Sequence, residues 1–283
     1  MNKPLFQDNI AGEHIDAAYA AQSPSQRLDL YLPKGGGPFP LILVIHGGAW
    51  LWGDKSDCEV GWMLHGLARG YAVASMNYRL SPEAPFPAQI YDVKAAIRYL
   101  RAHAGELGLD AGRFCACGSS AGGHLAALAG TSGAVGALED LTMGNDGQPS
   151  AVQAVVDWFG PTDFLAMDEQ LASLGLEGDI HTHPESPESL LLGRYIIEAP
   201  ELVRAASPMT YISPESPPFL IRHGRLDTTV CCLQSAVLAE ALKQAGIRVE
   251  LDLIDGAGHG GPAFDTPQSI ARALDFIDQY LKG

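Results

Sequence analysis

Gly118-Ser119-Ser120-Ala121-Gly122 lies between a short apolar run and an alanine-rich stretch of helical character. A G-x-S-x-G in that setting places its serine on a tight strand-to-helix turn, which only small neighbours permit. The Ser120 hydroxyl then projects at a helix N-terminus, where the dipole and unpaired N–H groups favour negative charge. A serine hydroxyl becomes a nucleophile only when a base takes its proton. His259, in Asp255-Gly-Ala-Gly-His-Gly-Gly, is the one histidine after the last expected strand, and its glycines allow the imidazole to reach Ser120. Asp227, in His223-Gly-Arg-Leu-Asp, follows the preceding strand. Asp252 and Asp255 are nearby carboxylates, but neither follows the seventh strand. The expected chemistry is acyl transfer: Ser120 attacks a carbonyl, His259 shuttles the proton, and Asp227 orients His259.

His46-Gly47-Gly48-Ala49-Trp50 follows the third expected strand. Its small residues let backbone N–H groups approach a developing oxyanion. Gly48, Ala49 and Ala121 are the expected donors, each worth about 3 kcal/mol in the transition state. Trp50 and Phe159, both just past strands, are expected to line an apolar pocket; Trp52 and Trp158 are further aromatics on that side, with plain core packing an equal alternative for Trp158. His124 lies one helical turn beyond Ser120 and is expected to point into the structure as a hydrogen-bonded core residue. His46 is expected to order its loop, and Arg79 and Glu83 to pair. His181 and His183 lack the further ligands that a metal site needs.

The elements that must position these residues alternate between apolar runs and amphipathic stretches, the pattern of an α/β fold with a mostly parallel sheet. Residues 15–20 and 26–32 read as an opening hairpin. Residues 41–45 form an unbroken apolar run suited to a strand covered on both faces. Further strands are expected at 71–76, 114–117, 152–159, 219–223 and 248–254, about eight in all. Ile90, Val93, Ile97 and Leu100 recur at helical spacing and predict a helix over 88–102. Helices are also expected at 121–130, 230–245 and 267–281. The interval between Phe159 and Phe219 is rich in Pro, Ser and Glu, too long for a simple crossover, with one helix expected near 188–197. It reads as a cap or lid over 161–216, inserted in a single domain of 1–283.

The 283 residues are 47% hydrophobic and 18% charged, a globular composition, and the formal charge is −15. An acidic surface repels phosphate backbones and anionic lipid, which argues against nucleic-acid and membrane-surface roles. The first 20 residues have no apolar signal core, so the expectation is a cytoplasmic protein, with export open only to a leader already removed. The five cysteines, Cys58, Cys115, Cys117, Cys231 and Cys232, lack framework spacing, so packing is expected and not disulfides.

The stretches 46–50 (HGGAW), 77–100, 118–128 (GSSAGGHLAAL), 155–164, 217–227 (PPFLIRHGRLD) and 256–261 (GAGHGG) resemble the α/β-hydrolase lipase/esterase families. They are most similar to BD-FAE-type carboxylesterases, acetylxylan and feruloyl esterase-like, with the hormone-sensitive-lipase family a close relative. Ser119, His124 and the His-Gly-Arg-Leu-Asp acid motif favour the BD-FAE type. Arg225 and Cys231-Cys232 depart from its usual acid loop. The resemblance implies an eight-stranded sheet, a serine carboxylesterase with no cofactor and no metal, and acetyl or feruloyl esters of plant polysaccharides as candidate substrates. The expected partner is a small-molecule ester, and a homodimer stays open. Arylformamidase and lactonase activities use the same machinery. A non-catalytic binding protein would be expected to have lost one of the three key residues, and all three are present.

Overall fold

The computed structural model describes residues 3–283. Eight strands form one sheet in the order β1-β2-β4-β3-β5-β6-β7-β8. They are β1 (Ile10–Ala18), β2 (Arg27–Pro33), β3 (Phe39–Ile45), β4 (Ala72–Met76), β5 (Leu109–Ser119), β6 (Ala154–Trp158), β7 (Phe219–Gly224) and β8 (Val249–Ile254). β2 pairs antiparallel with β1 and β4, and every pairing from β4 across to β8 is parallel. Nine α-helices among the described residues connect them: α1 (Cys58–Leu64), α2 (Ala88–Ala102), α3 (Ala104–Leu107), α4 (Ala121–Thr131), α5 (Met167–Ser173), α6 (Pro187–Leu192), α7 (Pro200–Ala206), α8 (Leu233–Gln244) and α9 (Pro267–Leu281).

The apolar run of β3 is buried on both faces because alternate residues point to opposite sides. Leu41, Leu43 and Ile45 join a cluster with Ile90, Val93 and Ile97 of α2, Leu125 and Leu128 of α4, and Leu238 of α8. Ile42 and Val44 join the opposite cluster, with Met63 of α1 and Leu274 and Ile277 of α9. Cys115 and Cys117 of β5 both face that second cluster, and burial pushes both thiols up, so they act as small core residues. Cys231 and Cys232 are likewise buried free thiols, at the start of α8.

The central strands β3 and β5 are neighbours, yet β3 is followed by β4 on one side and β5 by β6 on the other. Chain connections diverging in this way open a crevice at the carboxyl ends of the strands, where α/β sheets hold ligands. Helix α4 packs close beneath it because it opens with Ala121-Gly122-Gly123. A Cβ on Gly122 would lie 2.0 Å from the Ile45 carbonyl oxygen.

Two expectations are corrected. The helix near 188–197 is α6, which ends at Gly193 in a left-handed cap, followed by a separate 3-10 turn at Ile196–Glu198. Arg79 does not pair with Glu83. Its guanidinium binds Asp92 of α2 at 2.8 Å, and Glu83 accepts from Ser23 and Ser25. Asp92 is fully buried and needs a cation, whereas Glu83 can be satisfied by hydroxyls at the surface.

Candidate active site

Five loops or turns meet at the carboxyl ends of β3, β5, β6, β7 and β8. Six non-glycine residues among those described have positive φ, and four of them, Ala49, Trp50, Ser120 and Phe159, lie here. Such conformations cost energy and persist where surrounding contacts hold them. Ser120, at φ 53° and ψ −121°, is the residue before α4. Its N–H donates to the Trp158 carbonyl at 2.8 Å, which pins the turn to β6. A Cβ on Gly118 would lie 2.3 Å from the Gly122 carbonyl oxygen, so the turn needs glycine on both sides.

The loop after β3 is folded back on itself. The N–H groups of Leu51 and Trp52 donate to the Gly48 carbonyl at 2.9 and 3.1 Å, and Ser81 donates to the Trp50 carbonyl. His46 holds this loop through Nδ1 and the Gly47 carbonyl at 2.8 Å, and its ring stacks on Tyr78. Among the described residues, no backbone carbonyl accepts from the N–H of Gly48, Ala49 or Ala121. All three residues border the cavities beside Ser120.

His259 Nε2 lies 2.9 Å from Ser120 Oγ, and His259 Nδ1 lies 2.7 Å from Asp227 Oδ2. The Asp227 side chain is fully buried. Burial alone would raise its carboxyl, but hydrogen bonds from His223 and His259 outweigh that and hold it at about 2. Its Oδ1 accepts the N–H groups of Thr229 and Val230 at 2.9 and 2.8 Å. A carboxylate only accepts, so the His259 hydrogen sits on Nδ1 and the Nε2 lone pair faces the Ser120 hydroxyl. Phe159 packs edge-on against the His259 ring at 4.7 Å.

His223 has a part in the site that its sequence motif did not reveal. Its Nε2 lies 3.1 Å from Asp227 Oδ2 and 2.7 Å from the Val230 carbonyl, and its Nδ1 lies 2.6 Å from Ser235 Oγ. Two acceptors flank Nε2, so that nitrogen carries the hydrogen, and Ser235 donates to the other. The imidazole thus braces the carboxylate through the same oxygen, Oδ2, that His259 contacts. The only signal in sequence was a histidine four residues before the acid at a strand end.

His124 points away from Ser120. It is buried, its Nε2 meets the Ala206 carbonyl at 2.8 Å, and burial lowers it to about 4 despite that bond. Trp50 is buried and borders one cavity, Phe159 and the exposed Trp52 border the other, and Trp158 is packed against Trp62 in the core.

The interval between β6 and β7 supplies one wall of the site. Helices α5 and α7 bury Met167, Val203 and Ala206 against the sheet side of the molecule. Asp179 N–H donates to the Thr228 carbonyl at 3.0 Å, which ties the segment to the Asp227 loop. His181 and Glu188, both buried, bind each other at 3.0 Å, and Asp168 caps the N–H groups of His181 and Thr182. No group of three or more metal-ligating side chains that could hold an ion occurs among the described residues. No helix among them is long and apolar enough to cross a membrane.

A family model, BD-FAE, matches residues 28–242. The chain belongs to the BD-FAE family. Esterase LipQ of Mycobacterium tuberculosis is 34% identical over 207 residues, covering 73% of this chain and 46% of LipQ. Esterase LipC of the same organism is 31% identical over 271 residues, covering 90% of this chain and 62% of LipC. The chain thus spans about half to three-fifths of the length of these relatives. A solved structure, a truncated form of a carbohydrate esterase from gut microbiota, has a TM-score of 0.86 and 33% identity, with 98% of this chain and 99% of that one covered. This BD-FAE chain has the α/β-hydrolase fold, as its eight-stranded sheet and that neighbour agree.

Proposed function

We propose that the protein is a serine carboxylesterase that works through an acyl-enzyme, with Ser120 as nucleophile, His259 as base and acid, and Asp227 as the orienting carboxylate. The observation that carries this reading is the unbroken contact from Ser120 Oγ to His259 Nε2 to Asp227 Oδ2, at 2.9 and 2.7 Å, opening on two cavities. In the first half-reaction Ser120 Oγ bonds to the ester carbonyl carbon while its proton passes to His259 Nε2. The negative charge that forms on the carbonyl oxygen is met by the N–H groups of Gly48, Ala49 and Ala121. The imidazolium, paired with the Asp227 carboxylate, then gives its proton to the departing alkoxide oxygen. Water repeats the sequence: His259 takes its proton, the hydroxide oxygen bonds to the acyl carbon, and the free acid leaves as Ser120 regains its hydrogen.

The mechanism uses side chains and backbone N–H groups throughout. Residues 161–216 form a cap within a single domain, and its segment 179–188 closes one side of the acyl path. Acetyl or feruloyl esters of plant polysaccharides are the natural substrates we favour. Similarity over nearly the whole chain to a carbohydrate esterase supports that class.

Hydrolysis of p-nitrophenyl esters from acetate to octanoate by the wild type and Ser120→Ala tests the reading. Turnover of short chains that disappears in a folded Ser120→Ala variant is expected. Equal turnover by both proteins, or none by the wild type, would overturn it and bring N-formylkynurenine forward as the next substrate to try.

A further inference from the structure

Ser120 borders two cavities of about 350 Å³ each, and their linings differ. His259, Gly260 and the aromatic residues Trp52, Trp62 and Phe159 border the first. Trp50, Ala121 and Val230 border the second, which His259 does not reach. The oxygen that leaves or enters at the acyl carbon must lie against His259 Nε2, because that atom gives or takes its proton. The alcohol part of an ester therefore belongs to the first cavity. The acyl group, held on Ser120 beside the Ala121 N–H, extends into the second. Once the alcohol has departed, the first cavity stands open beside a loaded acyl-enzyme.

The lining of that cavity decides what enters next. Among the described residues, none that borders it is Asp, Glu, Lys or Arg, so it has no fixed charge to offer a charged acceptor. Phe159 is buried with its ring edge-on to His259 at 4.7 Å. A Cβ on Gly260 would lie 3.5 Å from Phe159 Cζ, so glycine there leaves room beside the ring. Trp52 is 61% exposed. A Cβ on Gly48 would lie 2.8 Å from Trp52 Cδ1, which places the indole against one of the oxyanion donors with most of its surface open to solvent. Apolar walls offer water few partners, whereas an alcohol that carries a ring removes apolar surface from water on both sides.

We propose that the protein also transfers acyl groups from Ser120 to neutral aromatic alcohols, which bind against Trp52 in the first cavity in competition with water. The inference rests on the esterase reading. In this step His259 Nε2 takes the hydroxyl proton of the incoming alcohol while the alcohol oxygen bonds to the acyl carbon. The bond from that carbon to Ser120 Oγ then breaks, and the proton passes from His259 to Oγ. A new ester replaces the free acid as product, and no other co-reactant enters.

The test uses p-nitrophenyl acetate as acyl donor, with benzyl alcohol or methanol as acceptor. Their hydroxyls are of similar acidity, but only one carries a ring. Nitrophenol release counts the acyl-enzymes formed, and chromatography divides the acyl product between acetate and the new ester. That division is made after acylation, so it depends neither on the active fraction nor on how fast the donor reacts. Burial is worth about fourfold in binding per apolar carbon, so partial cover of the benzyl ring predicts capture at least about tenfold above methanol at equal concentration. Capture by benzyl alcohol should also saturate, as a bound acceptor must, while capture by methanol stays linear. Trp52→Ala should lower the benzyl-to-methanol ratio about two- to tenfold, the range for a lost ring–ring contact. Trp52→Phe should keep most of it. A ratio near one with capture linear in both alcohols, or a saturating preference unchanged in Trp52→Ala, would overturn this inference and leave the hydrolase intact. Absence of nitrophenol release by the wild type would take the esterase reading down with it.

Discussion

Replacing Asp227 by asparagine changes one atom and reverses the logic of the site. The carboxylate accepts four hydrogen bonds, two backbone N–H groups on Oδ1 and two ring nitrogens on Oδ2. An amide has one accepting side and one donating side. Keeping its oxygen on the Thr229 and Val230 N–H groups turns its NH₂ toward His223 and His259. Flipping it would instead set NH₂ against two backbone donors, at about 1–3 kcal/mol for each group left unpaired. His223 tolerates the first arrangement, since its Nε2 hydrogen also has the Val230 carbonyl at 2.7 Å. His259 Nδ1 has Asp227 as its partner, so it must accept from the amide and carry its hydrogen on Nε2. That nitrogen then faces Ser120 as a donor and cannot take its proton. Loss of the correct tautomer predicts a fall in kcat of about 10⁴-fold, or about 5 kcal/mol at 1.36 kcal/mol per decade.

Folding is affected far less. Asp227 is held at about 2 against an ordinary 3.8, and its side chain is fully buried. A depressed folded-state value means that the carboxylate stabilises the fold above the ordinary value, and that this is lost as pH falls through the range from 3.8 toward 2. The difference corresponds to about 2 kcal/mol at neutral pH. Asp227→Asn should therefore remain folded at neutral pH with a modestly lower Tm, while steady-state turnover of p-nitrophenyl acetate collapses. A kcat within tenfold of wild type on a folded sample would refute the tautomer argument and move the acid elsewhere.

Other substitutions probe the same architecture. Gly122→Ala sets a Cβ 2.0 Å from the Ile45 carbonyl oxygen, so it should disrupt the Ser120 turn and sharply reduce soluble, active protein; normal yield and activity would mean that α4 can shift away from β3. Ser119→Ala should retain most of the activity that Ser120→Ala abolishes, and an equal loss in kcat would point to the wrong serine. Asp157 is buried in β6, and desolvation raises it to about 6 from 3.8, so its ionisation costs the fold about 3 kcal/mol well above that value. Here the folded value is the higher one, so stability falls as pH rises through that window. Asp157→Asn should gain stability over wild type at pH ~8 and lose that advantage near pH ~4, as read by urea unfolding at both; a gain that does not change with pH would contradict the burial argument.

Local chemistry explains what could be read from the chain alone. The 3.6-residue spacing of Ile90, Val93 and Ile97 marked α2 with its observed bounds, since a helix must bury one face wherever it lies. An unbroken apolar run marked β3 because a strand covered on both faces has no polar side. Gly118 and Gly122 marked the turn at Ser120 because a side chain on Gly118 would strike α4 and one on Gly122 would strike β3. Short helices such as α5 and α7 left no such mark. Each is about two turns long, and their stability comes from packing Met167, Val203 and Ala206 and not from periodicity. Partnership across the fold was equally invisible. Arg79 pairs with Asp92 instead of its near neighbour Glu83, because burial of Asp92 demands a cation. His223 meets Asp227 locally, four residues on, whereas Glu188 borders the Ser120 cavity only because the 179–188 segment folds against the Asp227 loop. Residue type and spacing determine which elements form and which groups can react. Only the packed sheet decides which of those groups meet, because contact distances of about 3 Å are set by chain segments far apart in sequence.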